Sequence, residues 1–190
     1  MLTENSWEWF SDDLCRRNGV VLIPYVLMDT DWTVPTNALV YAWEELISDG
    51  TAEAVFGGTR VRDAGSFVEH CQSRSHIVAV YVDLTGQGLG ITWLSHCERN
   101  TARYHIATLK RAWRHQTPTI AMMGARYYFA FPGVDGAPLF DVLIGTIAAS
   151  NRRAVAFARR MGCTVVGEIP HAACGEPMII TYMTRDQANG

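Results

Sequence analysis

Three consecutive stretches near the carboxyl end decide the fold: LFDVLIGT over 139–146, NRRAVAFARRMGC over 151–163 and TVVGEIP over 164–170. The first and third are short apolar runs rich in β-branched residues, which predicts buried strands. The middle stretch opens at Asn151, a good N-cap residue, and stops at Gly162, where a left-handed glycine typically ends a helix. The sequence therefore predicts a β–α–β unit.

The chain upstream of this unit alternates between helical and strand patterns. Pro24 indicates that the first strand lies at a sheet edge or contains a bulge, and Thr36 and Asp63 are suitable helix caps. Short turns between the three middle strands predict an antiparallel meander. The pattern as a whole predicts an α/β fold with a mixed, mostly antiparallel sheet of about seven strands flanked by helices. The remaining helices are predicted near 7–17, 36–48, 63–72 and 117–131, and the remaining strands near 20–28, 76–84, 89–97, 103–109 and 178–184.

Composition and charge exclude several classes of protein. The 190 residues are 48% hydrophobic and 18% charged, with a net charge of −3, which excludes global disorder and gives no basic field for nucleic acid. The apolar runs are too short to cross a bilayer, and the amino terminus lacks a signal-peptide pattern. Five cysteines without a C-x-x-C pair favour reduced thiols. We therefore expect a cytoplasmic chain with no membrane, nucleic-acid or metal partner.

The element order and the β–α–β unit together resemble the Gcn5-related N-acetyltransferase (GNAT) family, most clearly over 104–185. The resemblance implies a GNAT-like acyl-CoA N-acyltransferase fold in one domain over 1–190, with 1–18 as a helical extension. It also implies that acetyl-coenzyme A (acetyl-CoA) donates an acetyl group to an amine that attacks the thioester directly. It leaves open whether the amine belongs to a small molecule or a peptide, and whether the chain is a homodimer.

In the GNAT family a glycine-rich loop before the central helix holds the pyrophosphate of coenzyme A through backbone N–H groups. Here Thr117 and Thr119 stand at the two glycine positions, and Pro118 between them has no N–H. Strand amides near Leu109 are expected to polarise the thioester carbonyl. An ordinary capped helix start is the alternative. The cofactor-binding residues that the resemblance implies in this stretch are Leu109, Arg114, His115, Gln116, Thr117 and Thr119.

The resemblance assigns two further cofactor positions on the carboxyl-terminal helix. Asn151 matches an asparagine that hydrogen-bonds the pantetheine arm where two central strands diverge, although it would also serve as an N-cap alone. Phe157 replaces a tyrosine whose hydroxyl protonates the leaving thiolate. Because phenylalanine has no proton to donate, protonation by water or another group, or unassisted departure of the thiolate, is expected instead.

A general base must take a proton from the amine. His105 on the third strand of the meander titrates near neutral pH, and Glu98 lies in the turn before that strand, so both are catalytic candidates. His96 beside Cys97 does not indicate a cysteine nucleophile, because adjacent strand residues point to opposite faces unless the backbone bends. The His171-to-Glu176 segment lacks a fourth metal ligand, and a surface hairpin loop is expected there.

The departures from the family pattern also fit a different class of function. The loop lacks its glycines, Phe157 lacks a hydroxyl, and an obvious acidic base is missing. A catalytically inactive GNAT-fold binding or assembly module would carry the same changes. The sequence therefore predicts an acetyl-CoA-dependent N-acetyltransferase, with the inactive module as the alternative.

Overall fold

The computed structural model describes residues 18–28, 31–133 and 135–189. The helix predicted near 7–17 therefore lies outside the described residues. The strands are β1 (Val20–Tyr25), β2 (Leu27–Met28), β3 (Asp31–Trp32), β4 (Ile77–Asp83), β5 (Gly88–Glu98), β6 (Thr101–Thr108), β7 (Val142–Ala148), β8 (Thr164–Ala173) and β9 (Glu176–Thr184). The helices are α1 (Thr36–Ser48), α2 (Thr51–Phe56), α3 (Ala64–Gln72), α4 (Thr117–Phe129), α5 (Arg152–Arg160) and α6 (Arg185–Asn189), with a 3-10 turn at Lys110–Ala112.

Seven strands form one sheet in the order β1-β4-β5-β6-β7-β9-β8. The pairs β1–β4, β7–β9 and β8–β9 are antiparallel, whereas β6–β7 is parallel. Pro24 is accommodated because β1 is an edge strand, where a missing N–H costs no ladder bond. The prediction of a mixed, mostly antiparallel seven-stranded sheet flanked by helices is confirmed.

The chain divides into two compact units, Met1–Trp93 with Ile106–Gly124, and Leu94–His105 with Ala125–Gly190. Strands β5 and β6 and helix α4 each begin in one unit and end in the other. The prediction of one domain stays a prediction.

The core of the first unit is aromatic. Phe56 stacks on Trp93 with ring centroids 5.4 Å apart and meets Phe67 edge-on at 5.7 Å. Trp43 of α1 packs on both phenylalanines. Odd-numbered residues of β5 and β6 in this unit complete the core, which fixes the face that both strands turn toward it. They are Ile91, Trp93 and Ala107, and Leu109 directly after β6 joins them.

The two predicted helix caps in the first unit have different outcomes. The Asp63 carboxylate accepts a hydrogen bond from the Ser66 amide at 2.8 Å, and the Ser66 hydroxyl completes a capping box. That backbone hydrogen bond lowers the pKa of Asp63. The prediction that Thr36 caps α1 is wrong, because Pro35 occupies the cap position and Thr36 is the first helical residue without a side-chain cap bond.

In the second unit, β7 begins at residue 142, three residues later than predicted. Asp141 lies outside the strand because its amide donates to the Asn100 carbonyl and its carboxylate accepts from Asn100 and Arg185. Phe140 is fully buried although it belongs to no strand. The apolar run 139–146 therefore predicts correctly that Phe140 is buried, but it predicts the start of β7 too early.

Helix α5 ends as predicted. Gly162 has φ +83°, and its amide donates to the Arg159 carbonyl at 3.0 Å. An added side chain would meet no atom within 4 Å. Glycine is needed here for its backbone conformation rather than for space.

Gly90 is needed for space, which gives a stability prediction. A Cβ at Gly90 would lie 2.5 Å from the Ala107 carbonyl oxygen and 2.9 Å from Thr108 Cα. Since both contacts are backbone atoms of β6, we expect Gly90→Ala to destabilise the fold by about 2 kcal/mol or more.

Urea unfolding followed by circular dichroism measures the effect of Gly90→Ala. Gly65→Ala in α3 is the control, because its Cβ would meet only an ordinary 3.5 Å contact and alanine favours a helix. An unfolding midpoint for Gly90→Ala equal to that of the wild type would contradict the close approach of β5 and β6.

Candidate active site

The backbone amide, the backbone carbonyl and the side chain of Leu109 all have partners within the protein. Its side chain is buried, its amide donates to the Leu89 carbonyl at 2.9 Å, and its carbonyl accepts from the Ala112 amide at 2.9 Å. The Leu109 amide is therefore already used by β5, and the prediction that strand amides near Leu109 polarise a thioester carbonyl stays a prediction.

Two polar groups of the predicted phosphate loop are used inside the loop. The Gln116 amide donates to the Ala112 carbonyl at 3.0 Å. The Thr117 hydroxyl lies 3.1 Å from both Thr108 Oγ1 and the Ala112 carbonyl oxygen. This hydroxyl therefore stabilises the turn.

Four backbone N–H groups remain at the entrance of α4. Among the residues that the structure describes, none accepts a hydrogen bond from the amides of Arg114, His115, Thr117 or Thr119. Pro118 has no N–H, and the first bond of the next turn runs from Ile120 to Gln116 at 2.8 Å. The side chains of Arg114 and His115 are exposed. The loop thus presents donors at the positive end of a helix.

The loop is anchored to α1 and to the strand before it. The Lys110 amide donates to the Asp49 carboxylate at 2.6 Å, and the Arg111 guanidinium pairs with Glu45. The Trp113 indole donates to the Thr108 carbonyl at 2.9 Å. Arg111 is therefore committed to α1, whereas the side chains of Lys110 and Arg114 are exposed.

Asn151 caps α5. Its side-chain oxygen accepts from the Ala154 amide at 3.1 Å. Within the described ranges nothing accepts a hydrogen bond from its Nδ2 group, so this amide has two N–H donors left for a ligand. The capping function is present, and the predicted pantetheine contact stays a prediction.

Phe157 lies on the same helix and is half-buried. The Arg160 guanidinium carbon lies 5.8 Å from its ring centroid, within the range of a cation–π contact. This contact and the surrounding burial account for an aromatic side chain at Phe157 without any catalytic hydroxyl.

The parallel ladder between β6 and β7 is short. It pairs residues 101–103 with 142–144, whereas β6 continues to 108 and β7 to 148. On its other edge β7 pairs with β9 over its full length. The edge of β7 that faces β6 therefore has no ladder partner among the described residues after Ile144.

His105 lies in a cluster that sequence reasoning missed. The Ser95 hydroxyl lies 2.8 Å from His105 Nε2 and 3.0 Å from His96 Nδ1. Adjacent strand residues normally point to opposite faces, but His96 has φ +48°, which interrupts the alternation. A regular two-residue turn at 99–100 would place Ser95 opposite Tyr104, so counting residues back from the turn could not have found this pair.

The other sequence candidates near the β5–β6 turn do not join this cluster. Glu98 is exposed, and its carbonyl accepts from the Thr101 hydroxyl at 3.0 Å. Desolvation raises the pKa of the Cys97 thiol. The backbone does bend at His96, yet the bend brings His96 to Ser95 and leaves Cys97 without an activating base.

The described ranges 18–28, 31–133 and 135–189 contain neither a membrane-spanning helix nor a metal-binding cluster. No helix of these ranges is long and apolar enough to cross a bilayer. They also contain no group of three or more His, Cys, Asp or Glu side chains placed to hold a metal ion. His171 bonds to the Gly175 carbonyl at 3.0 Å in the β8–β9 hairpin, where a hairpin loop was expected.

Solved structures identify the fold of this chain, whereas comparison of its sequence with known proteins finds no match. No protein-family model and no curated protein matches the chain. The spermidine N-acetyltransferase of Vibrio cholerae in complex with CoA and spermine superposes with a TM-score of 0.69 at 10% identity, covering 90% of this chain and 99% of the other. This chain has the GNAT fold. The F149A mutant of SpeG from the same organism gives 0.68 at 12% identity, covering 88% and 96%.

Threonine stands at both glycine positions of the loop before α4. Neither Thr117 nor Thr119 has a positive φ, so threonine fits both positions without backbone strain. The loop therefore keeps the N–H donors of these two residues. In this chain His105 lies on β6, and Phe157 on α5 has no hydroxyl.

Proposed function

We propose that this chain transfers an acetyl group from acetyl-CoA to an amine. The entrance of α4 carries the proposal, because the amides of residues 114, 115, 117 and 119 have no acceptor among the described residues. An anion with several oxygens satisfies such donors, and the helix dipole attracts its charge. The pyrophosphate of coenzyme A has this chemistry, and a protein with the same fold is described in complex with CoA.

In the first unit, the exposed Arg114 adds a cation to the loop that is proposed to bind the pyrophosphate. In the second unit, the Nδ2 group of Asn151 is a donor of the kind that a pantetheine carbonyl accepts. Beyond Ile144, one edge of β7 has no ladder partner among the described residues of that unit, and an extended chain of amides pairs with such an edge.

The main catalytic group that this reaction requires from the protein is a proton acceptor. Acetyl-CoA supplies the acetyl group as a thioester, whose C–S bond breaks as the new C–N bond forms. The amine loses one proton, and His105 is proposed to take it, since an imidazole ring nitrogen can accept a proton. Because Phe157 has no acidic proton, water supplies the proton that the sulfur receives, which a thiol pKa of about 8.5 permits.

The acceptor is proposed to be a small-molecule or peptide amine, and the assembly a homodimer. The similar Vibrio cholerae structures are described as holding spermine and as dodecameric. In this chain β8 is an edge strand with Val166 and Ile169 exposed. Edge strands with apolar side chains are surfaces on which chains pair.

Thermal unfolding with and without acetyl-CoA, followed by an amine panel, tests the proposed function. A ligand at 100 times its Kd stabilises the native state by about 2.7 kcal/mol, so the Tm should rise. Release of free thiol in the presence of an amine should then report turnover. Binding without turnover on any amine would identify the inactive module, and an unchanged Tm would refute both.

A further inference from the structure

A cavity of about 240 Å³ lies in the first unit, between α1 and the strands β1, β4 and β5. Its walls are mainly aliphatic and include Leu39, Leu46, Val80 and Ile91. Protein interiors are packed as closely as organic crystals, and voids larger than a water molecule are few. An apolar cavity of about 150 Å³ is already large enough to bind benzene. This cavity therefore has room for an apolar group of at least that size.

Small residues on both walls account for this space. Ala38 and Ala42 line the cavity from α1, and Gly88 lines it from the start of β5. A Cβ added at Gly88 would meet only Leu109 Cδ1, at 3.9 Å, which is an ordinary contact, and φ of Gly88 is not positive. A larger side chain would therefore fit at Gly88. Because a cavity lowers the stability of a fold, folding alone gives no reason to keep this one.

The cavity continues into a polar opening. Tyr41, Glu45 and Gly88 line both the cavity and this opening, which also includes Glu44 and Arg111. Arg111 pairs with Glu45, so these two charges offset each other. Among the residues that the structure describes, no cation pairs with Glu44, which is exposed. The opening therefore has one negative charge without a partner.

We propose that this cavity binds a primary ammonium ion that carries a compact apolar group. The apolar group leaves water and fills the cavity, which is the favourable direction of the hydrophobic effect. The ammonium stays in solvent at the opening, where Glu44 attracts it and would repel a carboxylate. The donors proposed to bind acetyl-CoA, at 114–119 and Asn151, line neither the cavity nor its opening. The site is therefore separate from the proposed cofactor site.

Isothermal titration of the full chain with three probes of similar size tests the charge of the ligand. Benzylamine has the proposed chemistry, benzyl alcohol lacks the charge, and benzoate has the opposite charge. We expect benzyl alcohol to bind about two- to fivefold more weakly than benzylamine, the usual effect of an exposed charge pair, and benzoate to bind more weakly still. Glu44→Gln should remove the advantage of benzylamine over benzyl alcohol. Glu69→Gln on α3 is the control, because Glu69 is exposed and lines neither the cavity nor the opening.

Two replacements fill the cavity from opposite walls. Gly88→Leu adds a side chain from the sheet, and Ala42→Leu adds one from α1. Each should weaken benzylamine binding by about 10- to 100-fold, which corresponds to the burial of one large apolar side chain. Gly167→Leu in β8 is the control, since an added Cβ at Gly167 would meet no atom within 4 Å. The Tm of the ligand-free filled variants should not fall, and Ala42→Leu decides the result if Gly88→Leu fails to fold.

Glycine amide resonances locate the bound probe. In ¹H–¹⁵N spectra, benzylamine should shift the amides of Gly86, Gly88 and Gly90, which all line the cavity. Wild-type affinity in the filled variants, shifts confined to other residues, or no binding at millimolar benzylamine would overturn the site. Equal affinities for the three probes would overturn the selection of a cation. None of these measurements involves acetyl-CoA, so a failure of the proposed function would leave their results unchanged.

Discussion

Replacement of His105 by alanine is expected to lower kcat by about 10²- to 10⁴-fold, the usual contribution of a general base. The ring of His105 is half-buried and held by Ser95 at 2.8 Å. Removal of a general base lowers kcat. The amine KM should change little, because other groups are expected to bind the acceptor. Steady-state kinetics over a series of amine concentrations measure both quantities.

His171→Ala is the control for this experiment, because His171 is an exposed ring in the β8–β9 hairpin. Thermal unfolding of both variants separates a folding defect from a catalytic one. If His105→Ala folds normally and keeps the wild-type kcat, His105 is not the base. Glu98 would then be the remaining candidate from the sequence.

Replacement of Thr119 by glutamate is expected to weaken acetyl-CoA binding by more than about 100-fold. A carboxylate about 5 Å from a phosphate costs roughly 3 kcal/mol at the effective dielectric of a protein surface, and 1.4 kcal/mol is tenfold. The same carboxylate suits the helix dipole and should stabilise the ligand-free chain by about 0.3–1 kcal/mol. Affinity and stability should therefore change in opposite directions.

Thr119→Gln is the matched control, since it has nearly the same size without the charge. Isothermal titration with coenzyme A should give a measurable Kd for the glutamine variant and none for the glutamate variant. The Tm of the ligand-free glutamate variant should not fall. Equal affinity in the two variants would mean that the pyrophosphate binds away from Thr119.

The sequence predicted the features that depend on neighbouring residues. Asn151 and Gly162 bound α5 because a cap and a left-handed stop are local, set by three or four residues. Asp63 was predicted for the same reason. The prediction for Thr36 failed, because Pro35 has a fixed φ and takes the cap position itself. Neighbouring residues determine where these helices begin and end. At α1, Pro35 alone moves the cap position away from Thr36.

The features that depend on distant residues were not predictable. Asp141 leaves β7 because of hydrogen bonds to Asn100 and Arg185. The Leu109 amide is used by β5, and no local pattern signals that. Ser95 meets His105 where a regular turn would place it opposite Tyr104, and the adjacent His96 is left-handed. In each case the deciding partner is far along the chain or depends on a single dihedral angle.

The attachment of the 3-10 turn to α1 bears on how tightly a ligand can be held. The Lys110 amide bonds to Asp49, 61 residues earlier, and Arg111 pairs with Glu45. A turn fixed in this way has already lost its conformational entropy during folding, so the docking of a diphosphate need not offset that cost again. The preorganisation of the loop thus depends on Glu45 of α1 and on Asp49 directly after it, which are both synthesised before the loop.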